Sequence, residues 1–198
     1  MKVAKIVKGF CIAVLILFFV AILFRIFMLD DKRVLKDIYP TEGFVTAYEK
    51  NGENAFSYHK MSSQISTDGY YTAYAMVYCE SAQEVQLTVR YNDSLTERYL
   101  PGTSAEMFRW ELVDENGTTV SVGQELESVG KYQYNYIRVS FEDVKIEEDT
   151  SLLLRLYCDE ADYPTEGSEP EFMVHVNNKE LKKYSLSSAE KKLLAEGK

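Results

Sequence analysis

The hydrophobic pattern begins with a continuous apolar run, residues 10–29, with the sequence FCIAVLILFFVAILFRIFML. Twenty residues of α-helix are about 30 Å long, which matches the hydrocarbon core of a bilayer. Fifteen of the twenty are Leu, Ile, Phe or Val, and at roughly 0.3–0.6 kcal/mol each they favour insertion by a total on the order of 6 kcal/mol. Arg25 opposes insertion by at most about 3 kcal/mol, and it lies near the end of the run, where its side chain can reach the interface. The run therefore predicts a transmembrane helix.

The flanks of this run distinguish an anchor from a signal peptide and set its orientation. The run is longer than the apolar core of a signal peptide, and no small-x-small site follows it, so we predict an uncleaved signal-anchor. A cleaved signal peptide is the alternative. Lys2, Lys5 and Lys8 precede the run, whereas three aspartates dilute the basic residues after it. We therefore predict a single-pass topology with a cytoplasmic N-terminus and the rest of the chain outside.

From residue 39 onward, apolar and polar residues alternate with period two between turn residues, which is typical of half-buried strands. Residues 85–91 show this most clearly, and by the same rule Val120 and Val122 are predicted to face the core. Eight or nine such segments without helix–strand alternation predict an all-β fold. We expect an antiparallel β-sandwich, with an immunoglobulin-like or a jelly-roll topology.

Two local patterns refine this picture. An Asn-Gly pair at 51–52 predicts a hairpin between strands 44–48 and 55–59. Residues 70–79 alternate without interruption, so their odd and even positions are predicted to face opposite sides of one strand.

The C-terminal segment differs from the strands before it. Ser187 and Glu190 have the spacing of a capping box, and Gly197 can end a helix that begins there. We therefore predict a short helix in a basic tail. The chain is then divided into a cytoplasmic tail (1–9), a transmembrane anchor (10–29), a charged stalk (30–38), an extracytoplasmic β-sandwich domain (39–178) and a basic C-terminal tail with a short helix (179–198).

The charge is unevenly distributed. The chain has a formal net charge of −9, from 22 basic and 31 acidic residues. Residues 1–29 contain four basic residues and no acidic ones, so the remainder carries 22 − 4 = 18 basic against 31 acidic residues, a formal −13. An acidic domain repels phosphate backbones, which argues against a nucleic-acid partner and leaves cationic partners or calcium open.

Two cysteines of the predicted domain, Cys79 and Cys158, each end a strand on its apolar side. Outside the cytoplasm such a pair can form a disulfide. Closing a loop of roughly 80 residues stabilises a fold by about 4 kcal/mol in the chain-entropy model. A disulfide and two buried free thiols are the alternatives that the sequence leaves open.

An acidic segment follows Cys158, and its first carboxylates are Asp159, Glu160 and Asp162. Oxygen-rich loops of proteins outside the cytoplasm can hold calcium, so these three residues are the candidate metal ligands. Their spacing is not that of an EF-hand, and the alternative is a solvated loop of like charges. No cofactor motif is found, and no cofactor is predicted.

Tyr132, Tyr134 and Tyr136 share one face of a predicted strand, and Arg138 is next on that face. A solvated row of tyrosines is a flat aromatic surface of the kind that binds sugar rings or a protein. The alternative is that the rings pack against neighbouring elements. These four residues are the candidate ligand or partner surface.

The sequence favours binding over catalysis, because neither a nucleophile elbow nor a phosphate-binding glycine loop occurs in it. We expect a non-enzymatic binding or interaction module of the cell envelope, held in the lipid bilayer through residues 10–29. The expected partner is an envelope protein or a surface glycan. The alternatives are a structural or accessory subunit of a membrane secretion or transport complex, and an envelope-polymer hydrolase whose carboxylates the sequence does not identify.

Overall fold

The structure is a computed structural model that describes residues 2–28, 35, 38–59, 64–65, 71–92, 108–131, 134–147, 151–158, 172–177 and 181–197. The chain forms two compact units, Met1–Lys36 and Asp37–Lys198. Among the described residues, the first unit contains one helix, and the second contains a sheet and two further α-helices.

Helix α1 spans Lys2–Met28. Its segment Ile6–Arg25 has a mean hydropathy of 2.9, and none of its residues is buried in the structure. Large apolar side chains such as Phe10 and Phe18, which are 71% and 66% exposed, lie along its length. A helix that is apolar on all sides needs an apolar environment. α1 is thus long and apolar enough to cross a membrane, as the sequence predicts.

The second unit is mostly antiparallel β-sheet, which confirms the predicted β-rich domain. The ten strands among the described residues are β1 (Phe56–His59), β2 (Gln64–Ile65), β3 (Tyr71–Cys79), β4 (Glu84–Asn92), β5 (Phe108–Val113), β6 (Thr119–Lys131), β7 (Tyr134–Phe141), β8 (Ser151–Cys158), β9 (Phe172–Asn177) and β10 (Lys182–Lys183). In the sheet they follow the order β10-β1-β3-β4-β7-β6-β5-β8-β9, and β2 pairs with β3 off this path.

The long strand β6 joins two parts of this sheet. Residues 119–123 pair with β5, whereas residues 124–131 pair with β7. Buried side chains from β3, β4 and β7 and from β5 and β8 belong to a single hydrophobic cluster, which is the main core. Its buried members are Ala73, Met76, Tyr78, Val85, Leu87, Val89, Trp110, Leu112, Ile137, Val139, Phe141, Val144 and Leu152.

Val120 and Val122 are 37% and 55% exposed, so their predicted inward orientation is wrong. The register with β5 explains this, because Gly123 is paired with the buried Trp110. The alternating residues of β6 that face the core are therefore the small ones, and the valines lie on the other face.

The predicted hairpin at residues 44–59 is also wrong, because Glu42–Asn51 forms helix α2. The side chain of Thr41 caps this helix by accepting a hydrogen bond from the Phe44 N–H, and Glu42 in the first turn complements the helix dipole. Gly52 ends the helix with a φ of 56°, where the sequence predicts a hairpin turn. A short 3-10 turn, Gly52–Ala55, then leads into β1.

Strand β3 does not alternate without interruption as predicted. Its register with β4 shifts between Ala73 and Ala75. Such a bulge inserts one extra residue and exchanges the two faces beyond it. Ala73 and Tyr78 consequently both reach the main core, whereas Cys79 lies on the opposite face.

Helices cover that opposite face. The C-terminal helix α3 spans Ser188–Glu196 and begins with the predicted capping box between Ser187 and Glu190. β10 pairs with β1, so the C-terminal segment that the sequence sets apart as a tail is packed onto the sheet. The second hydrophobic cluster, formed by both helices and this face, contains Ile38, Phe44, Ala47, Ala55, Phe56, Val77, Cys79, Leu186 and Leu194.

Candidate functional site

Strands β3, β4 and β7 lie side by side, and the face that carries the helices extends across all three. The register places Arg90 of β4 opposite Tyr136 of β7 and Thr72 of β3. Asn92 is opposite Tyr134 in the same way. Directly opposed residues of antiparallel strands point to the same side of a sheet. The pairing therefore gathers aromatic and polar side chains from three strands at one end of this face.

Arg90 lies between two tyrosine rings at this end. Its guanidinium carbon is 4.3 Å from the ring centroid of Tyr134 and 5.4 Å from that of Tyr74. Its Nη2 donates a hydrogen bond to Oγ1 of Thr72 at 3.3 Å. A guanidinium over an aromatic face is attracted by the ring quadrupole. We call Tyr74, Arg90 and Tyr134 the tyrosine–arginine patch; all three are half-buried.

The structure describes three of the four residues of the sequence-predicted surface, and these three differ in burial. Tyr134 is half-buried, whereas Tyr136 and Arg138 are only 2% and 3% exposed. The Tyr136 ring lies 6.4 Å from that of Tyr74, centroid to centroid, and so supports the patch from below. Tyr132 lies outside the described residues. The period-two pattern places Tyr134, Tyr136 and Arg138 on one face, but only Tyr134 of these three is partly accessible. The other partly accessible residues of the patch, Tyr74 and Arg90, come from neighbouring strands.

The buried Arg138 is held by an ion pair. Its Nε lies 3.3 Å from Oε1 of Glu127 on β6, which is 35% exposed. Arg138 is opposite Thr88 on β4 and opposite Glu127 on β6. A buried guanidinium needs such a partner, so this pair is a structural element of the face beside the patch.

Sequence reasoning missed Arg90 as a site residue, whereas Tyr74 belongs to the even-numbered tyrosines of residues 70–79 that could extend the predicted tyrosine surface. Arg90 and Tyr74 lie on the polar or aromatic side of their strands, but only the pairing of β3 with β4 and of β4 with β7 brings them together with Tyr134. A signal was present in the alternation of residues 85–91, which places Arg90 away from the core. The sequence does not specify which residues stand opposite it.

A buried carboxylate organises the helix-covered end of the same face. Glu84 is 3% exposed. Its oxygens accept hydrogen bonds from Oγ1 of Thr41 at 2.7 and 2.8 Å, Oγ of Ser140 at 2.7 Å and Nε2 of Gln86 at 3.1 Å. Thr41 also caps α2, so Glu84 lies at the positive end of that helix. A Cβ on Gly43 would lie only 2.8 Å from Oε2 of Glu84, which explains the glycine in this first turn.

Residues Ile38–Thr41, which we call the entry segment, are fixed to the sheet by side chains. Oε1 of Gln86 accepts from the Tyr39 N–H, and Nε2 of Gln86 donates to the Tyr39 carbonyl, both at 2.9 Å. Oε1 of Glu190 accepts from the Ile38 N–H at 3.3 Å. The segment therefore joins β4 to helix α3 without being a strand.

Glu190 is 2% exposed and has further donors. Its Oε2 accepts from the Ser187 N–H at 2.6 Å, which is part of the capping box of α3. Its Oε1 also accepts from the hydroxyl of Tyr184. Burial, together with this bond to the carboxylate, raises the pKa of Tyr184 well above its usual range. The phenol thus stays a donor to Glu190 across the neutral pH range.

An open cleft of about 380 Å³ lies between α2 and the turn that joins β3 to β4. Glu42, Lys50, Glu84, Glu142 and Asp143 are among its lining residues, so its lining is acidic on balance. In the part of the chain that the structure describes, no group of three or more His, Cys, Asp and Glu residues has the arrangement of a metal site. The predicted calcium ligands Asp159, Glu160 and Asp162 lie outside that part.

Cys79 is a free, buried thiol in the structure. Its Sγ lies 3.6 Å from Oγ of Ser81, and burial raises the pKa of the thiol. The side chain of Cys158 is not among the described ones, so the pairing of the two cysteines stays a prediction.

Comparison of the chain with models of known protein families, with curated proteins and with solved structures finds no match.

Proposed function

We propose that the protein is a membrane-anchored, non-enzymatic binding module. In this proposal α1 is the anchor, the N-terminus is cytoplasmic, and the β domain is a two-layered sandwich outside the membrane. The domain holds a partner of the cell envelope at the tyrosine–arginine patch. The observation that carries the proposal is the position of Arg90 between the rings of Tyr74 and Tyr134.

The surroundings of the patch support a binding role. Helices α2 and α3 pack on Val77 and Cys79 at one end of the face, whereas the patch at the other end is only half-buried. Aromatic and arginine side chains supply most of the binding energy at protein surfaces that recognise partners. The ion-paired Arg138 and the buried Tyr136 fix the floor of this region, so a ligand meets a preorganised surface.

Site-specific cross-linking in intact cells tests the proposal. A photo-reactive side chain at position 134 is expected to form adducts with the envelope partner of the full-length protein. The matched control carries the same side chain at position 116, an exposed residue of the turn between β5 and β6. Adducts at neither position, or the same adducts at both, would contradict a binding role for the patch.

Substitutions provide the second arm of this test. Tyr134→Ser is expected to abolish adducts from a cross-linker at position 92, the residue opposite Tyr134, whereas Tyr134→Phe retains them. Tyr136 is not used, because its ring is buried and its removal would cost about 3–5 kcal/mol of stability.

A further inference from the structure

One buried carboxylate connects the C-terminal helix to the place where the chain enters the β domain. Glu190 of α3 is buried, and its oxygens accept hydrogen bonds from three groups. Two of these donors, the Ser187 N–H and the Tyr184 hydroxyl, belong to the C-terminal segment itself. The third donor is the N–H of Ile38 in the entry segment, which lies 152 residues away in the sequence. Glu190 is therefore shared by α3 and the entry segment.

Apolar side chains join the same two segments. Ile38 is buried and belongs to the second hydrophobic cluster, together with Leu186 just before α3 and Leu194 within it. If α3 left the domain, this cluster would lose two of its buried side chains, and the Ile38 N–H would lose its carboxylate acceptor. Both losses disfavour the ordered entry segment, because apolar burial and a hydrogen bond to a charged group each stabilise a fold.

The C-terminal segment has the features of a unit that opens locally. α3 has nine residues, and isolated helices shorter than about 12 residues are marginal in water. β10 has two residues, and both pair with β1. The ion pair of Lys191 with Glu53 is formed by side chains that are 41% and 38% exposed, and pairs of this kind contribute little. A segment attached in this way opens at a lower free energy than the central strands.

We propose that α3 is a latch that closes on the entry segment. The docked helix supplies the carboxylate and the apolar side chains that order Ile38, and the ordered Ile38 in turn stabilises the docked helix. The coupling is reciprocal, because a contact between two segments contributes equally to the order of each. Opening of the latch releases the place where the chain from α1 joins the β domain. The order of this attachment point is thus controlled by the C-terminal helix.

Hydrogen exchange of the full-length protein in phosphatidylcholine nanodiscs tests the latch, with the entry segment, α3 and the central strand β4 followed separately. Glu190→Gln keeps the size of the side chain and removes its charge. We expect roughly 10- to 100-fold faster exchange in both α3 and the entry segment, because charge-assisted hydrogen bonds are lost, whereas β4 keeps its protection. The matched control is Lys192→Gln on the same helix, where the side chain is 77% exposed, and it is expected to exchange like the unmodified protein.

A substitution in the entry segment tests the reciprocal effect. Ile38→Ala changes no residue of α3 and keeps the N–H that donates to Glu190, but it removes apolar contacts from the second hydrophobic cluster. We expect exchange in α3 to become faster by about the same factor as in the entry segment, because the coupling acts equally in both directions. A purely local role of Ile38 would leave α3 unaffected.

Three results would overturn the latch. In the first, Glu190→Gln accelerates exchange in α3 but not in the entry segment. In the second, Ile38→Ala leaves the exchange of α3 unchanged. In the third, β4 exchanges faster to the same extent as α3, which would show that the helix opens only when the whole domain unfolds. None of these measurements involves the tyrosine–arginine patch, so the latch and the proposed binding function are tested separately.

Discussion

At the scale of single residues, Gly123 shows how the absence of a side chain lets strand β6 pack closely against β7. It lies where β6 changes its pairing from β5 to β7. A Cβ at this position would lie 2.5 Å from Cγ1 of Val139 and 2.7 Å from Cε1 of Phe141. Both neighbours are completely buried, so neither can move away at low cost. A glycine inside a strand commonly marks such a close approach.

Gly123→Ala is therefore expected to destabilise the domain by about 1–3 kcal/mol through overpacking. The measurement is urea unfolding of the fragment 37–198, which contains both hydrophobic clusters. Gly130→Ala on the same strand is the matched control, because its nearest neighbour is the side-chain oxygen of Asn135 at 3.1 Å and the position is exposed. Equal stability of the two variants would show that the space around Gly123 is not limiting.

At the scale of elements, local signals determine whether the sequence predicts a segment correctly. The alternation of residues 85–91 predicts β4, and the capping box at Ser187 predicts α3. Both predictions succeed because each signal depends only on a few neighbouring residues. The sequence predicts half of a hairpin in place of α2, because an Asn-Gly pair is found both in hairpin turns and at helix ends, and here it ends a helix that Thr41 caps. The bulge at Ala73 follows from pairing with β4, which no local pattern reveals.

The start of α2 yields the prediction at this scale. Thr41→Val removes the helix cap and leaves Glu84 buried with one donor fewer, although the side chain keeps its shape. We expect a loss of about 1–3 kcal/mol, equal to roughly 5- to 150-fold faster hydrogen exchange in α2 where its amides exchange by local opening. Thr41→Ser keeps the hydroxyl and is expected to retain most of the protection. If both variants exchange alike, the hydroxyl does not hold this helix.

At the scale of the whole molecule, the sequence predicts the apolar helix and the β-rich domain. Both predictions rest on the hydrophobic pattern of many residues taken together, so no single residue decides them. The candidate site depends instead on single pairings, such as Arg90 opposite Tyr136, and on burial that separates Tyr134 from Tyr136. The entry segment is a further case, since Gln86 and Glu190 reach it from positions 47 and 152 residues away in the sequence. Such long-range hydrogen bonds produce no periodic pattern in the sequence, so the sequence does not predict them.

The topology of the chain is tested with single cysteines in a variant that lacks the three native ones. A cysteine at position 116, in an exposed turn, is expected to react with a membrane-impermeant maleimide on intact cells, whereas a cysteine at position 2 reacts only after lysis. The reason is that insertion of the apolar run is favourable by several kcal/mol, and in the proposed orientation the lysines before it stay on the cytoplasmic side. Replacing Lys2, Lys5 and Lys8 by Gln is expected to reduce labelling at position 116. Labelling at position 2 alone, or a mature protein without residues 1–29, would contradict an outward-facing domain on an uncleaved anchor.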